Sequence, residues 1–477
     1  MSTTNTTTPA EPGANPTYSS GDIAWILTST ALVWLMIPGV GYLYSGLAQR
    51  KNALSLIMLS VLSIAVVSFQ WFLVGFSLTF SKTSNNPIIG NFDNALLRGV
   101  LGQPSIGSAR VPDLVFCIYQ MMFAAITPAL AIGAAAERAR ILPMVVFIFF
   151  WSCFVYDFIA YWTWNSNGWS YKLGGLDFAG GTPVHIASGA AGLAYALFIG
   201  KRQGHGVEKY RPHNMTNVLL GTVLIWFGWF GFNGGSALGS TMRAAMAFLV
   251  TNLSACVGAI TWVALDFRSE RKYSALGFCS GAVAGLVTIT PASGFVGPGP
   301  SIVFGVVGAA ACNLVVKYKH RFAVDDALDV FALHGIGGIV GDLLTGIFAE
   351  KYVAGLDGTE IAGGWLDRNF IQLAYQLADA TSGFAWSFVV TYVILFIMNR
   401  IPGLSLRIDP DKEGDGIDVA ELGEHAYHYY HEITMVNEHG EQRTVLEEIK
   451  EPHLRNMSVN HTSASNGEIK SEKENGG

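Results

Sequence analysis

A chain of 477 residues that is 51% apolar and 13% charged, with 54 glycines and a positive mean hydropathy, has the composition of a polytopic membrane protein with closely packed helices. A soluble enzyme of this length carries about 25% charged residues, and the net charge of −6, with acids gathered in the C-terminal tail, offers no basic surface for a nucleic acid. The five cysteines (Cys117, Cys153, Cys256, Cys279, Cys312) all lie in apolar segments and read as small buried residues, not disulfide partners.

Residues 1–21 are rich in Thr, Ser, Asn and Pro and lack Lys and Arg, so they read as an uncleaved polar leader. The sequon Asn5-Thr6-Thr7 makes Asn5 a glycosylation site if that leader faces outside. Apolar runs long enough to cross a bilayer, about 20 residues each, start near Ile23, Ala53, Leu114, Ile141, Val184, Val218, Ala244, Ala275, Ile302, Val330 and Ile371. The expected fold is therefore all-α and polytopic, with eleven transmembrane helices over 22–400. An odd count puts the two termini on opposite sides of the membrane. The short connections after spans 1, 3, 5, 7 and 9 hold fourteen basic residues, from Arg50 and Lys51 to Lys319 and Arg321, against seven in the longer alternate connections. The positive-inside rule makes the first set cytoplasmic, with the N-terminus extracellular and the C-terminus cytoplasmic.

A weak internal repeat accompanies this topology. Ile126-Thr127-Pro128-Ala129 in span 3 recurs as Ile289-Thr290-Pro291-Ala292 in span 8, and His185 in span 5 is followed at a similar offset by His334 in span 10. The offsets suggest an inverted five-plus-five duplication, with repeat 1 over about 22–202 and repeat 2 over about 215–350. Span 11, about 370–400, lies outside the duplication and reads as a brace for the bundle. Inverted repeats place a substrate path at their interface near the midplane.

Of eleven histidines, His185 and His334 alone fall inside spans. An ionisable side chain in an apolar span is costly, so such residues mark function by default. Each stands in a Gly-rich segment preceded by an acid: Asp177-Phe178-Ala179-Gly180-Gly181-Thr182-Pro183-Val184-His185 and Asp329-Val330-Phe331-Ala332-Leu333-His334-Gly335. For Asp177 and Asp329 two readings stand side by side, support of conduction and simple capping of a helix N-terminus. Tyr119 and Phe123 share one face of span 3. Trp229, Phe232, Asn233 and Ser236 lie on the outer half of span 6, and Trp164 belongs to the cluster Tyr161-Trp162-Thr163-Trp164 ahead of Asp177. Aromatic faces attract cations by about 2 kcal/mol or more when desolvated, so these residues form a candidate external cation site. An ordinary interfacial aromatic belt is the alternative.

The two histidine segments, together with Gly228-Trp229-Phe230-Gly231-Phe232-Asn233-Gly234-Gly235-Ser236, strongly resemble the ammonium transporter family (Amt/Mep/Rh), and the resemblance continues into the tail at Gly416-Ile417-Asp418-Val419-Ala420-Glu421-Leu422-Gly423. The long tail and the sequon-bearing leader look most like a fungal methylammonium/ammonium permease. Carried over by position, the resemblance implies that Trp164, Tyr119, Phe123 and Ser236 bind ammonium or methylammonium, with Trp162 a rival for the first place. It implies that Phe123 and Phe232 close the pore, that His185 and His334 line it, and that Asp177 supports conduction. It further implies a homotrimer in the lipid of the plasma membrane, with uptake either as ammonia plus a separate proton or as the neutral gas. A role as a nutrient sensor is compatible with transport.

Residues 401–445 read as a cytoplasmic regulatory tail, of which 407–430 packs on the membrane domain, and 446–477 has the composition of a disordered end. Arg455-Asn456-Met457-Ser458 offers Ser458 to a basophilic kinase. A membrane enzyme or metal site is the rival class. No third histidine, cysteine pair or HExxH-like cluster accompanies His185 and His334, so the expectation is no enzyme activity, no metal and no cofactor.

Overall fold

The structure, a computed structural model, describes residues 18–207, 210–322, 324–427, 430–436 and 442–448. Asn5 and Ser458 lie outside the described residues, as does most of the stretch from 446 onward. Two compact units divide the chain, 1–424 and 425–477.

In the first unit the helices begin where polar residues meet apolar runs. Ser19, Asn214, Thr241 and Ser274 each accept a backbone N–H of the first turn that follows them, and Pro298 opens another helix in its first turn. Eleven helices among the described residues are long and apolar enough to cross a membrane. Spans 1 to 6 are Ser20–Leu47, Arg50–Phe80, Asp113–Ala135, Ile141–Leu173, Gly181–Ile199 and Met215–Gly235. Spans 7 to 11 are Met242–Glu270, Ala275–Ala292, Pro298–Tyr318, Phe331–Phe348 and Gln372–Met398. The starts read from hydropathy agree with these to within four residues. Spans 3, 5 and 8 are the most enclosed, with 89%, 83% and 78% of their apolar windows buried, so they form the centre of the bundle. By alternation, span 1 starts on the face that carries Trp164 and ends on the face that carries Arg202.

Spans 5 and 10 do not begin as regular α-helices. Gly181–Ile186 and Phe331–Ile336 are π-helical turns, and each carries its histidine. Such turns are rare and concentrate at functional sites. The two helices then touch where neither has a side chain. A Cβ on Gly189 would lie 2.2 Å from the Gly335 nitrogen and 2.4 Å from its Cα. The tetrapeptides that suggested a repeat differ locally: Pro128 is inside an α-helix, whereas Pro291 is in a terminal 3₁₀ turn.

Span 11 is more than a brace. Gln372, Gln376, Asp379, Ser387 and Thr391 are all buried, at intervals that keep them on one stripe. Gln376 exchanges both its amide groups with the backbone of Leu176, at 2.7 Å each, so span 11 holds the segment leading into Asp177. Ser387 donates to the Ala187 carbonyl of span 5 at 2.6 Å.

On the Arg202 face the first part of the tail is fastened down by specific bonds. Arg140 N and Ile408 N close a short bridge with the Leu406 and Arg138 carbonyls. Asp418 accepts Leu54 N at 2.9 Å and Ser55 N at 2.8 Å, capping the α-helix of span 2 from more than 360 residues away. Glu421 does the same for span 4, pairing with Arg140 at 3.0 Å and accepting Ile141 N at 3.3 Å.

Beside these caps, Arg202 binds both oxygens of Asp325, at 2.9 and 2.8 Å, and reaches Glu137 at 2.5 Å. Burial pushes the Asp325 carboxyl up, but the Arg202 guanidinium bonded to it holds it well below the usual carboxylate range. A group depressed in this way contributes stability above its unfolded value near pH 4 and loses it only as pH falls through the folded value. Asp325→Asn should therefore lower the melting temperature by an amount corresponding to about 3 kcal/mol at pH 8, and by no less at pH 5, because the His205 imidazole 3.3 Å from the carboxylate can only add to the loss when it carries a proton. The gap should narrow only in strong acid. Thermal unfolding of the detergent-solubilised pair of proteins across that range checks it, and a gap that closes between pH 8 and 5 would contradict it.

The second unit contains an antiparallel hairpin, β1 (Tyr430–Val436) with β2 (Gln442–Glu448), in which Ile433 faces Val445. It is an exception to the all-α expectation, and β2 runs three residues into the stretch read as disordered. Strand formation here follows from β-branched residues on both arms, a local signal that the acidic composition of the tail obscures.

Candidate functional site

On the Trp164 face, span 3 and span 6 build the entrance. Tyr119 and Phe123, one turn apart, lie with ring centres 5.0 Å from each other. The Tyr119 hydroxyl reaches the Gly231 and Phe232 carbonyls at 2.9 and 2.8 Å, and Ser236 Oγ at 3.3 Å. Ser236 spends its own proton on the Phe232 carbonyl at 2.9 Å. Its oxygen lone pairs are thereby left to accept an N–H from a guest.

Trp164 stands edge-on to Phe123, with centroids 5.9 Å apart at 89°. Its indole N–H donates to the Asp177 carbonyl at 3.1 Å, which fixes the ring. Trp162 is engaged elsewhere. Its N–H donates to the Ile88 carbonyl at 2.7 Å and its ring packs on Trp169 and Trp386, so Trp164 is the tryptophan brought to Phe123. The structure thus gathers Trp164, Tyr119, Phe123 and Ser236 in one place.

Immediately inward, Phe123 and Phe232 stack at 4.2 Å and 32°, both buried. His185 lies against Phe232 at 6.0 Å and against Trp229 at 5.3 Å, nearly parallel to both. Trp229 is itself held by donation to Thr290 Oγ1 at 2.9 Å. His185 Nδ1 and His334 Nδ1 are 3.2 Å apart. Two facing Nδ1 atoms share one proton position, so one neutral ring donates Nδ1–H and the other accepts. The pair then presents one Nε2–H and one bare Nε2, a donor at one end and an acceptor at the other. The Nε2 of His185 is buried and has no protein partner among the described residues.

Both rings line a cavity that runs from Phe232 towards Leu47 and Leu328 and has about 30 Å³ of room for the centre of a water-sized molecule. That is enough for one or two small molecules in single file. Its walls, Val40, Ile126, Val184 and Val283 among them, are almost wholly apolar. A small neutral molecule able to donate and accept fits this chemistry, and an unpaired ion does not.

Asp177 is buried and accepts three backbone N–H groups, those of Gly180, Gly181 and Thr182, at 2.7, 2.8 and 2.8 Å. It is therefore a helix cap in fact, aimed at the π-helical turn that carries His185. Asp329 is not brought to the pore. It is partly exposed, has φ +60°, and pairs with Lys319 at 2.5 Å. The position matching Asp177 is Asp326, which is buried and accepts Phe331 N at 2.8 Å. A signal for it was available: Asp326 stands eight residues before His334, as Asp177 does before His185. Asp342 and Asp379, both buried beside Asp177, had no comparable motif to reveal them.

A sequence model described as the Ammonium Transporter Family matches residues 24–427. The chain is 56% identical over 441 residues to "Ammonium transporter 1" of Schizosaccharomyces pombe, covering 90% of this chain and 88% of that one. It is 48% identical to "Ammonium transporter MEP2" of Saccharomyces cerevisiae over 87% of this chain and 84% of that one. Among solved structures it is similar to Candida albicans Mep2, with 50% identity, a TM-score of 0.79, and coverage of 83% of this chain and 87% of that one.

Proposed function

The chain belongs to the ammonium transporter family, and from that premise and the site geometry we propose that it draws ammonium in at Trp164, Tyr119, Phe123 and Ser236, strips a proton, and passes ammonia along His185 and His334. The observation that carries this reading is the Nδ1–Nδ1 contact of two imidazoles in an apolar cavity behind the stacked phenylalanines. Moving an ammonium-sized ion into a low-dielectric medium has an idealised cost on the order of 20 kcal/mol, whereas a neutral amine forfeits hydrogen bonds worth roughly 2–7 kcal/mol. The cavity therefore favours deprotonation at its mouth, and the Ser236 oxygen and aromatic faces suit the cation before that step. The histidine pair offers the proton a separate route, because each ring can release one proton from one nitrogen while accepting at the other.

The basic connections support a cytoplasmic Arg202 face and an external Trp164 face, so that the aromatic site meets ammonium from outside. The tail caps of Asp418 and Glu421 then sit on the cytoplasmic face, where release or tightening of 406–424 would act on spans 2 and 4. Homotrimer assembly, a plasma-membrane setting and control by a kinase at Ser458 belong to the same reading.

The test is electrical. In liposomes carrying the purified protein, an ammonium gradient should give a saturable current, a weaker one with methylammonium and none with potassium, and His334→Ala should remove most of it. Lumenal alkalinisation without current would reduce the reading to passive ammonia conduction. A potassium current would overturn it.

A further inference from the structure

Behind the entrance, three carboxylates from three elements converge. Asp177 precedes span 5, Asp342 lies in span 10 and Asp379 in span 11, and one oxygen from each lies within 4.8 Å of the others. All are buried, with residue exposures of 8%, 0% and 3%. None takes part in an ion pair among the described residues.

Their bonding is unequal. The charge of Asp177 is met by three N–H groups. Asp342 Oδ2 accepts the Thr182 hydroxyl at 2.7 Å, but its Oδ1 is buried without a protein partner. That bare oxygen points at the same turn that holds Asp177, since a Cβ on Gly181 would lie 2.5 Å from it. The Ser170 and Thr182 hydroxyls lie beside Asp379. Two carboxylates are thus removed from water with no positive partner, each at a penalty of several kcal/mol.

We propose that Asp177, Asp342 and Asp379, with the Thr182 and Ser170 hydroxyls, form a binding site for one divalent cation of calcium size. Charge supports a divalent ion: the helix turn answers Asp177, and two further carboxylates remain. Coordination supports calcium over magnesium. Buried carboxylates and hydroxyls brought together from several elements suit the flexible all-oxygen shell of calcium, whereas magnesium demands a near-ideal octahedron and usually keeps several waters. An all-oxygen set also disfavours zinc, whose usual sites include nitrogen or sulfur donors. Such an ion would join span 11 to Asp177, whose carbonyl holds Trp164, and so would stiffen the entrance without touching its guest. The assignment does not depend on which species crosses the pore. It departs from the metal-free expectation because that expectation searched for histidine and cysteine ligands.

The experiment uses the full chain in detergent, stripped with EGTA and returned to calcium, magnesium or potassium chloride at equal ionic strength. Calcium at millimolar concentration should raise the melting temperature by about 3 °C or more, magnesium and potassium by far less, and metal analysis should find close to one calcium per chain. Asp342→Asn and Asp379→Asn should each weaken calcium binding at least tenfold. An unchanged melting temperature in calcium, or binding that survives in both variants, would overturn the assignment. A melting temperature that moves with pH and ignores calcium would do so too, in favour of protons shared among the three carboxylates. If a variant fails to fold, the calcium titration of the unmodified chain decides alone.

Discussion

Asp177→Ala is expected to abolish transport and to lower stability together. The carboxylate accepts three buried N–H groups at 2.7–2.8 Å, and an unsatisfied buried donor costs about 1–3 kcal/mol. Losing all three would loosen the turn that carries His185 and shift the carbonyl that orients Trp164. Uptake of labelled methylammonium in cells without other ammonium transporters should fall at least a hundredfold, and the purified variant should melt several degrees lower. Asp177→Asn separates the two readings of this residue. Its amide oxygen can accept two of the N–H groups, so the fold should be largely kept, while the negative charge at the mouth is lost. Low uptake in a stable Asn variant would show that conduction needs the charge; full uptake would reduce Asp177 to a cap. Wild-type uptake in the Ala variant would refute both.

The second large effect is expected at a residue that touches no substrate. Gly189→Ala would place a methyl group 2.2 Å from Gly335 N, 2.4 Å from its Cα and 3.1 Å from the His334 carbonyl carbon. These are backbone atoms in a packed interior and cannot turn aside, so spans 5 and 10 must separate. Overpacking of this kind costs about 1–3 kcal/mol. Because the histidine contact is already 3.2 Å long, a separation of about 1 Å takes it out of hydrogen-bonding range. The variant should assemble and melt within a few degrees of the parent, yet transport at least tenfold more slowly. Gly335→Ala supplies the control. Its methyl group would first meet the Phe331 ring, at 2.7 Å, and a side chain has room to give. It should lose much less. Equal losses at the two glycines would argue against a histidine contact set by this helix crossing.

Much of the architecture is legible along the chain because its causes are local. A run of about 20 apolar residues must cross a bilayer to satisfy its own backbone, and the polar residue before such a run caps it, so the spans could be placed to within four residues. The desolvation cost of an ionisable group singled out His185 and His334 without any knowledge of their partners. Helical spacing put Tyr119 and Phe123 on one face.

What lay beyond the sequence, the eight-residue offset that marks Asp326 aside, was the choice between neighbours of similar chemistry. Trp164 and Trp162 are two residues apart in one aromatic run, and only the hydrogen bonds of their indoles, to Asp177 and to Ile88, decide which one meets Phe123. Asp326 and Asp329 both precede His334. The π-helical turn at Phe331 selects the first as its cap and leaves the second to Lys319. Asp379 was hidden on a helix that pattern alone made an onlooker, and its place beside Asp177 and Asp342 depends on Gln376 clasping Leu176 two hundred residues away. Length, crossing and the cost of buried charge are set by each segment in its solvent. Which buried groups meet is set by how helices with no fixed sequence separation pack, and that information exists only in three dimensions.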